Sequence, residues 1–294
     1  MISPANNAGS PNGTPAPAPR KRISPLLIGI LIIASILVPL VFWQGTWFGS
    51  QLSDDQLAKY LADRDNPRHV QHALVQLTER IDKHDPNVTR FYPALLALVD
   101  HPRAEVRSTL AWTMGWSPEA DGFHDALRTL LTDYAPLVRR NAALSLSKVP
   151  DPACRPVLHA MLEPYAVTAT VAGELTDLPP KDRPVKAHSH LATITPPDAA
   201  SVKVYAPLDG RILKVEAANG SPVAIGDVLC TLAPGEKDLR EALRAFALVG
   251  TAEDLDAIRA ALNRTYATKG AAEQGEITIK LIEKRSADAS TNGL

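Results

Sequence analysis

The sequence predicts a multidomain chain: an N-terminal transmembrane helix, an all-α block of stacked helical pairs, a small all-β module, and a C-terminal helical hairpin. Three observations predict it. The run Leu26–Trp43 carries no charge. Residues 94–116 and 126–148 align without a gap at an offset of 32. Near residue 166 the apolar period changes from three-and-four to two, and after residue 235 it changes back.

Residues 1–24 are rich in Pro, Ala, Asn, Gly and Ser and contain the cluster Arg20-Lys21-Arg22. Such a composition buries too little apolar surface to order itself, so a disordered tail is expected. The segment 25–48 follows, LLIGILIIASILVPLVFW extended by Gln44–Phe48. At about 23 residues it is long enough to cross a hydrocarbon core of about 30 Å. Trp43, Trp47 and Phe48 stand at its far end, where amphipathic rings prefer the membrane interface, and Pro39 marks a kink. A cleaved signal peptide is the rival reading, but its run is normally shorter and ends in a small-x-small site. This run ends in VFWQGTWF. The basic cluster precedes the span, and the next basic residue is Lys59. The positive-inside rule then puts the tail in the cytoplasm, the anchor in the inner (cytoplasmic) membrane and residues 50–294 outside.

Thirty-one basic residues balance 32 acidic ones among 294. No basic field is present to draw nucleic acid. The two cysteines, Cys154 and Cys230, rule out a disulfide framework and a CxxC zinc site. They are read as isolated buried thiols or, outside the cytoplasm, as one bridge.

Between residues 51 and 165 the helical spacing is sustained. Leu52, Leu57, Tyr60 and Leu61 mark one helix, and Val70, Leu74, Leu77 and Ile81 the next. The repeat then sets Leu95 against Leu127, Leu98 against Leu130, Val106-Arg107 against Val138-Arg139, and Ala111 against Ala143. An earlier copy reads NPRHVQHALVQL, Asn66–Leu77. A helix, a short turn with Asp or Pro, and a second helix opening on Val-Arg resemble HEAT repeats. One pair cannot bury its apolar face alone, so copies stack and present an extended surface to partners. Leu110 and Leu144 are expected in the core. Trp112 and Trp116 lie four apart on one helix face, and core packing is expected for them too. His69, His72, His84, His101, His124 and His159 are scattered without HExxH spacing, and read as surface or core histidines.

The β region, 166–235, alternates through SVKVY, RILKV and VLCTL, with Asn219-Gly220 and Ile225-Gly226-Asp227 as turns. The stretch VKVYAPLDGRILKVEAANGSPVAIGDVLCTLAPG is similar to biotinyl/lipoyl-carrier domains and to the related barrel of membrane-fusion (efflux adaptor) proteins. Residues 171–196 repeat it weakly: Gly173 answers Gly210, Leu175 answers Ile212, Pro184-Val185 answers Pro222-Val223, and Leu191 answers Leu229. The resemblance implies a flattened barrel of two quasi-equivalent halves. His188 stands where Gly226 stands, so that turn is expected to be built differently. The resemblance also places a modified lysine at the hairpin tip seven residues before Ala206, where this chain has Ala199. An alanine methyl forms no amide with biotin or lipoate. Lys203, inside a strand, is the nearest amine. No cofactor is therefore expected. His188 and His190 could share a strand face as metal ligands, but no third ligand is evident, and no metal is expected.

Residues 236–264 return to helical spacing through Leu239, Leu243, Phe246 and Leu248, stop at Gly250, and restart at Thr251–Asp254, a capping-box pattern. This hairpin looks like another HEAT-type pair, with the β module inserted in, or docked on, the array. In 265–294, Glu276–Ile282 alternates as a strand would, and a polar tail follows.

No GxSxG, P-loop, HExxH or GxGxxG occurs, so no catalytic residue is expected and the chain is not read as an enzyme. The expected function is a membrane-anchored extracytoplasmic scaffold that binds a protein partner. Two alternatives stand beside it: a periplasmic adaptor of an efflux or secretion system, and a lipoyl or biotinyl carrier or enzyme subunit. The short connector Pro196–Ser201 leaves no room for an adaptor's long helical hairpin.

Overall fold

A computed structural model describes residues 31–35, 37–38 and 51–292. The chain divides into two units, 1–51 and 52–294. In the first, residues 31–35 and 37–38 are helical. The expected tail, 1–24, and most of the expected anchor, 25–48, lie outside the described residues. No helix among the described residues is long and apolar enough to cross a membrane.

The second unit opens with helices α1 (Asp54–Ala62), α2 (Pro67–Asp82), α3 (Tyr92–Leu96), α4 (Ala104–Met114), α5 (Phe123–Leu130), α6 (Pro136–Leu146) and α7 (Arg155–Leu162). Local chemistry sets their starts. Ser53 and Gln56 close a reciprocal capping box at α1. Pro67 and Pro136 open α2 and α6, where a missing N–H costs nothing. The arginine of each Val-Arg motif ties its own helical turn: Arg107 donates to the His101 carbonyl (2.5 Å) and Arg139 to the Asp133 carbonyl (2.6 Å), six residues back in both copies. The second helix of each pair stacks on the second helix of the pair before it. Along α6, Asn141, Ser145 and Lys148 donate in turn to the carbonyls of Ser108, Ala111 and Gly115 on α4, at 3.0, 2.8 and 2.6 Å. Gly115 permits this approach, since a Cβ there would lie 2.1 Å from the Ser145 hydroxyl.

Eight strands follow: β1 (Tyr165–Thr168), β2 (Gly173–Thr176), β3 (Pro184–Val185), β4 (His190–Thr195), β5 (Val202–Tyr205), β6 (Gly210–Val215), β7 (Pro222–Val223) and β8 (Val228–Pro234). They form two antiparallel four-stranded sheets, ordered β1-β8-β6-β3 and β5-β4-β2-β7. Adding four to each strand number of one half carries the first sheet onto the second, so the two halves of the module are related by an internal twofold repeat. The expected flattened barrel is corrected by this. The sheets face each other across a common core and do not close, because two-residue β3 and β7 and four-residue β1 and β5 end them without pairing across. Gly173 and Gly210 are equivalent for one reason: a Cβ would meet the Thr195 carbonyl oxygen at 2.5 Å in one half and that of Ala233 at 2.4 Å in the other. The turn at His188 is also corrected. His188 takes φ 63° where Gly226 takes 90°, and Asp182 takes 68° where Gly220 takes 83°. Both turns are built alike, and two L-residues accept the left-handed conformation.

Helices α8 (Glu236–Val249), α9 (Leu255–Leu262) and α10 (Lys269–Asn292) complete the unit. The expected strand at 276–282 is corrected: it belongs to α10, as does the polar tail as far as Asn292. Ala271, Gly275, Thr278 and Ile282 recur at helical spacing on its buried side, and Thr278 donates to the Leu243 carbonyl of α8 at 2.8 Å. Packing of that face overrides the local alternation of β-branched residues. Helix α8 packs against α7 and α10, and its residues join the same apolar core as α1–α7, whereas the strands form a core of their own. The β module is thus inserted between the first and second helix of one helical pair. Cys154 lies in the helical core and Cys230 in the strand core, and both are free thiols. Burial pushes Cys154 up to about 12 and Cys230 to about 11.

Candidate functional site

The outer face of the second helices is the first candidate. On α4, Val106, Leu110, Ala111, Thr113 and Met114 fill the packed sides. That leaves Glu105, Thr109, Trp112 and Trp116 outside, one turn apart. The expectation that both tryptophans are core residues is therefore corrected: they are 41% and 39% exposed, with rings edge-to-face at 6.2 Å. Leu144, their neighbour on α6, is half-buried, whereas Leu110 and Leu146 are fully buried. Lys148 reaches across from the end of α6. Its ammonium lies 5.8 Å from the Trp112 ring and 5.2 Å from that of Trp116, and it donates to the Gly115 carbonyl at the end of α4. A cation there meets both π-faces and the negative end of a helix. Burial holds the Lys148 pKa below the usual lysine range.

The same face continues along α8 through Lys237, Glu241, Arg244 and Leu248, and along α10 through Ile277, Leu281 and Lys284. Leu248, Ile277 and Leu281 are 50%, 53% and 45% exposed. Glu241 is tied to Lys237 at 3.8 Å, one turn back.

The β module presents the hairpin between β4 and β5. Residues 197–201 are exposed, and Ala199 stands among them with its methyl in solvent. Lys203 lies within β5, paired opposite Thr193, as its alternating neighbours predicted. His188 and His190 do not share a strand face: His188 sits in the turn, and His190 opens β4 and contacts the Thr193 hydroxyl at 3.0 Å. No group of three metal-ligating side chains occurs among the described residues. Three of the helical-region histidines are held by hydrogen-bond partners, some local and some distant in sequence. His101 bridges the Arg64 carbonyl and the Arg103 N–H, His69 pairs with Asp63 at 2.5 Å, and His159 with Asp254 at 2.6 Å.

The role of the residues that close the array around the insertion was missed by sequence reasoning, which read Asp254 only as part of a capping box, a box the structure forms. Asp254, fully buried, accepts from Arg155, His159 and the Thr251 N–H. Burial would raise its carboxyl, but these donors, Arg155 foremost, hold it below the usual range. Arg140 pairs with Asp238 at 2.7 Å, bridging α6 to α8 across 98 residues. Burial raises Asp238 despite that cation, with Asp209 of the β module adding a like charge. Arg107–Asp133 is the buried counterpart within the array, at 2.6 Å. The one legible signal was the Leu239-Arg240 echo of Val106-Arg107 and Val138-Arg139. Arg240 begins the returning helix as those arginines do, but the residue six back is now the strand residue Pro234, and its buried Nε has no partner.

Residues 92–175 match the family model for HEAT repeats. The matched stretch runs from α3 through α7 into β2. Among solved structures, a single-chain, multi-domain long-chain acyl-CoA carboxylase is 20% identical over 36% of this chain, with a TM-score of 0.23. This chain spans 12% of that one. No curated protein matches the chain.

Proposed function

We propose that the chain is a membrane-anchored scaffold, held by residues 25–48 in the inner membrane, whose extracytoplasmic part binds a protein partner through its helical repeats. The observation that carries this reading is the match of residues 92–175 to HEAT repeats, a family that works by presenting a stacked-helix surface. The β module, similar to the biotinyl/lipoyl-carrier family, serves as an unmodified structural insert. It carries Ala199 at the tip where that family places its acceptor lysine. A carrier subunit is disfavoured by that methyl group, and an efflux adaptor by the connector between β4 and β5, which is too short to hold a helical hairpin.

Two measurements test this. Intact-mass spectrometry of the protein from its own host should return the unmodified mass, apart from loss of the initiating Met. A biotinyl or lipoyl adduct on Lys203 or any other lysine would restore the carrier alternative. Protease added outside intact spheroplasts should digest residues beyond Ser50, and full protection would place the scaffold in the cytoplasm instead.

A further inference from the structure

The outer face of α4, α6, α8 and α10 carries more exposed apolar surface than its repeat architecture needs. Trp112, Trp116, Leu248 and Ile277 contribute to no core, yet each is about 40–50% exposed beside a neighbour of the same kind. Exposed apolar side chains recurring on successive stacked helices mark a candidate interaction site. Its charges are mixed, and Arg244 is answered from within: it donates to Gln274 at 3.3 Å and faces Glu241 one turn back. The carboxylate of Glu241 is satisfied by Lys237, and that of Glu105 by Arg103 at 3.4 Å. No carboxylate among the described residues lies within ion-pair distance of Lys148, Arg244 or Lys284. The Lys148 ammonium spends one donor on the Gly115 carbonyl and is held over two indoles, so its remaining donors stand beside apolar surface. A ligand that fits must supply apolar side chains and carboxylates together.

We infer that this face docks an acidic amphipathic helix of a protein partner, its apolar stripe on Trp112, Trp116, Leu248 and Ile277 and a carboxylate on Lys148. The inference rests on the scaffold reading and adds the partner's chemistry to it. Laying an amphipathic helix on an apolar surface is a general mode of recognition, and charge complementarity then selects among such helices.

The test uses the detergent-solubilised full chain and two synthetic amphipathic peptides with the same leucine stripe, one with glutamates and one with lysines on the polar face. The glutamate peptide should bind and shift tryptophan emission to the blue, and the lysine peptide should bind at least about tenfold more weakly. Lys148→Glu should narrow or reverse that preference, and Trp112→Ala with Trp116→Ala should weaken the glutamate peptide by about tenfold or more. Both variants alter solvent-facing positions, and an unchanged melting temperature verifies that they fold. Equal binding of the two peptides, or binding indifferent to Lys148→Glu, overturns the inference.

A photo-crosslinking residue at Thr109 on this face, and another at Ala199 on the hairpin tip, separate this inference from the reading beneath it. In native membranes a crosslink to a partner at position 109 supports the inference. A crosslink at position 199 alone overturns it and leaves a scaffold that binds elsewhere. No crosslink at either position tells against both.

Discussion

The helical array and the β module are both built by internal repetition, but they keep it at opposite levels. In the array the sequences match over a gapless stretch at an offset of 32, while the outer surface diverges: Trp112 answers the half-buried Leu144. In the module the sequences match weakly, yet the twofold repeat of strands holds throughout, down to left-handed residues at 182 and 220 and at 188 and 226. The difference lies in the tolerance of the two kinds of packing. Helices stack through ridges of several side chains and accept changed partners on their free faces. Strand register is discrete, because a slip of one residue turns every side chain to the other face, so a few positions per half suffice to fix it. Gly173 and Gly210, and the Pro-Val pairs, are such positions.

Substitutions at paired positions should expose this contrast. The largest effect is expected at Asp254, the fully buried carboxylate that accepts from Arg155, His159 and the Thr251 N–H together. Asp254→Ala should cost about 3–5 kcal/mol by denaturant unfolding. In the array, twin positions should respond unequally. Leu110→Ala should cost about 2–5 kcal/mol, whereas Leu144→Ala, on the outer face, should cost less than about 1 kcal/mol. In the module, twin positions should respond alike. Gly173→Ala and Gly210→Ala should each cost about 1–3 kcal/mol, because each drives a Cβ onto a strand carbonyl. Unequal costs there would break the twofold account. The smallest effect should be a gain: His188→Gly relieves a left-handed residue and should stabilise by about 0.5–1 kcal/mol or stay neutral, the glycine's greater freedom when unfolded offsetting part of the relief.

Acid should act in one direction on the carboxylates held by arginines, opposite in sign to Asp238, whose carboxyl burial raises. The folded carboxyls of Asp133, of Asp151, which accepts from Arg128 at 2.6 Å before α7, and of Asp254 lie below their ordinary value of 3.8. Their stabilisation is fully present above the unfolded value and lost as pH falls through the folded ones. The melting temperature should therefore drop below about pH 4, and Asp254→Asn should flatten the drop.

How much of this was legible in the sequence differs by region. The helical pairs were read from spacing, because the buried stripe of an amphipathic helix is written in the residues themselves. The outward direction of Trp112 and Trp116 was not, since a large aromatic at helical spacing looks the same whether it faces core or solvent. The strand expected at Glu276–Ile282 failed because its alternation is local, while the choice of helix is made by Leu243, Leu262 and their neighbours far along the chain. The insertion left only the Leu239-Arg240 echo, and its closing ion pairs join residues nearly a hundred positions apart, which no local pattern records. The candidate docking face was invisible for the same reason: it is assembled from four helices, two of them beyond the β module.

The measurement that bears most directly on the account is quantitative co-purification from detergent-solubilised native membranes, comparing the natural chain with the Trp112→Ala, Trp116→Ala double variant. The account predicts a defined protein recovered in stoichiometric amount with the natural chain and depleted about tenfold with a variant that is equally abundant and equally folded. Equal recovery from both would contradict a partner held by the outer face of the helical repeats, and the absence of any stoichiometric partner would contradict the scaffold itself.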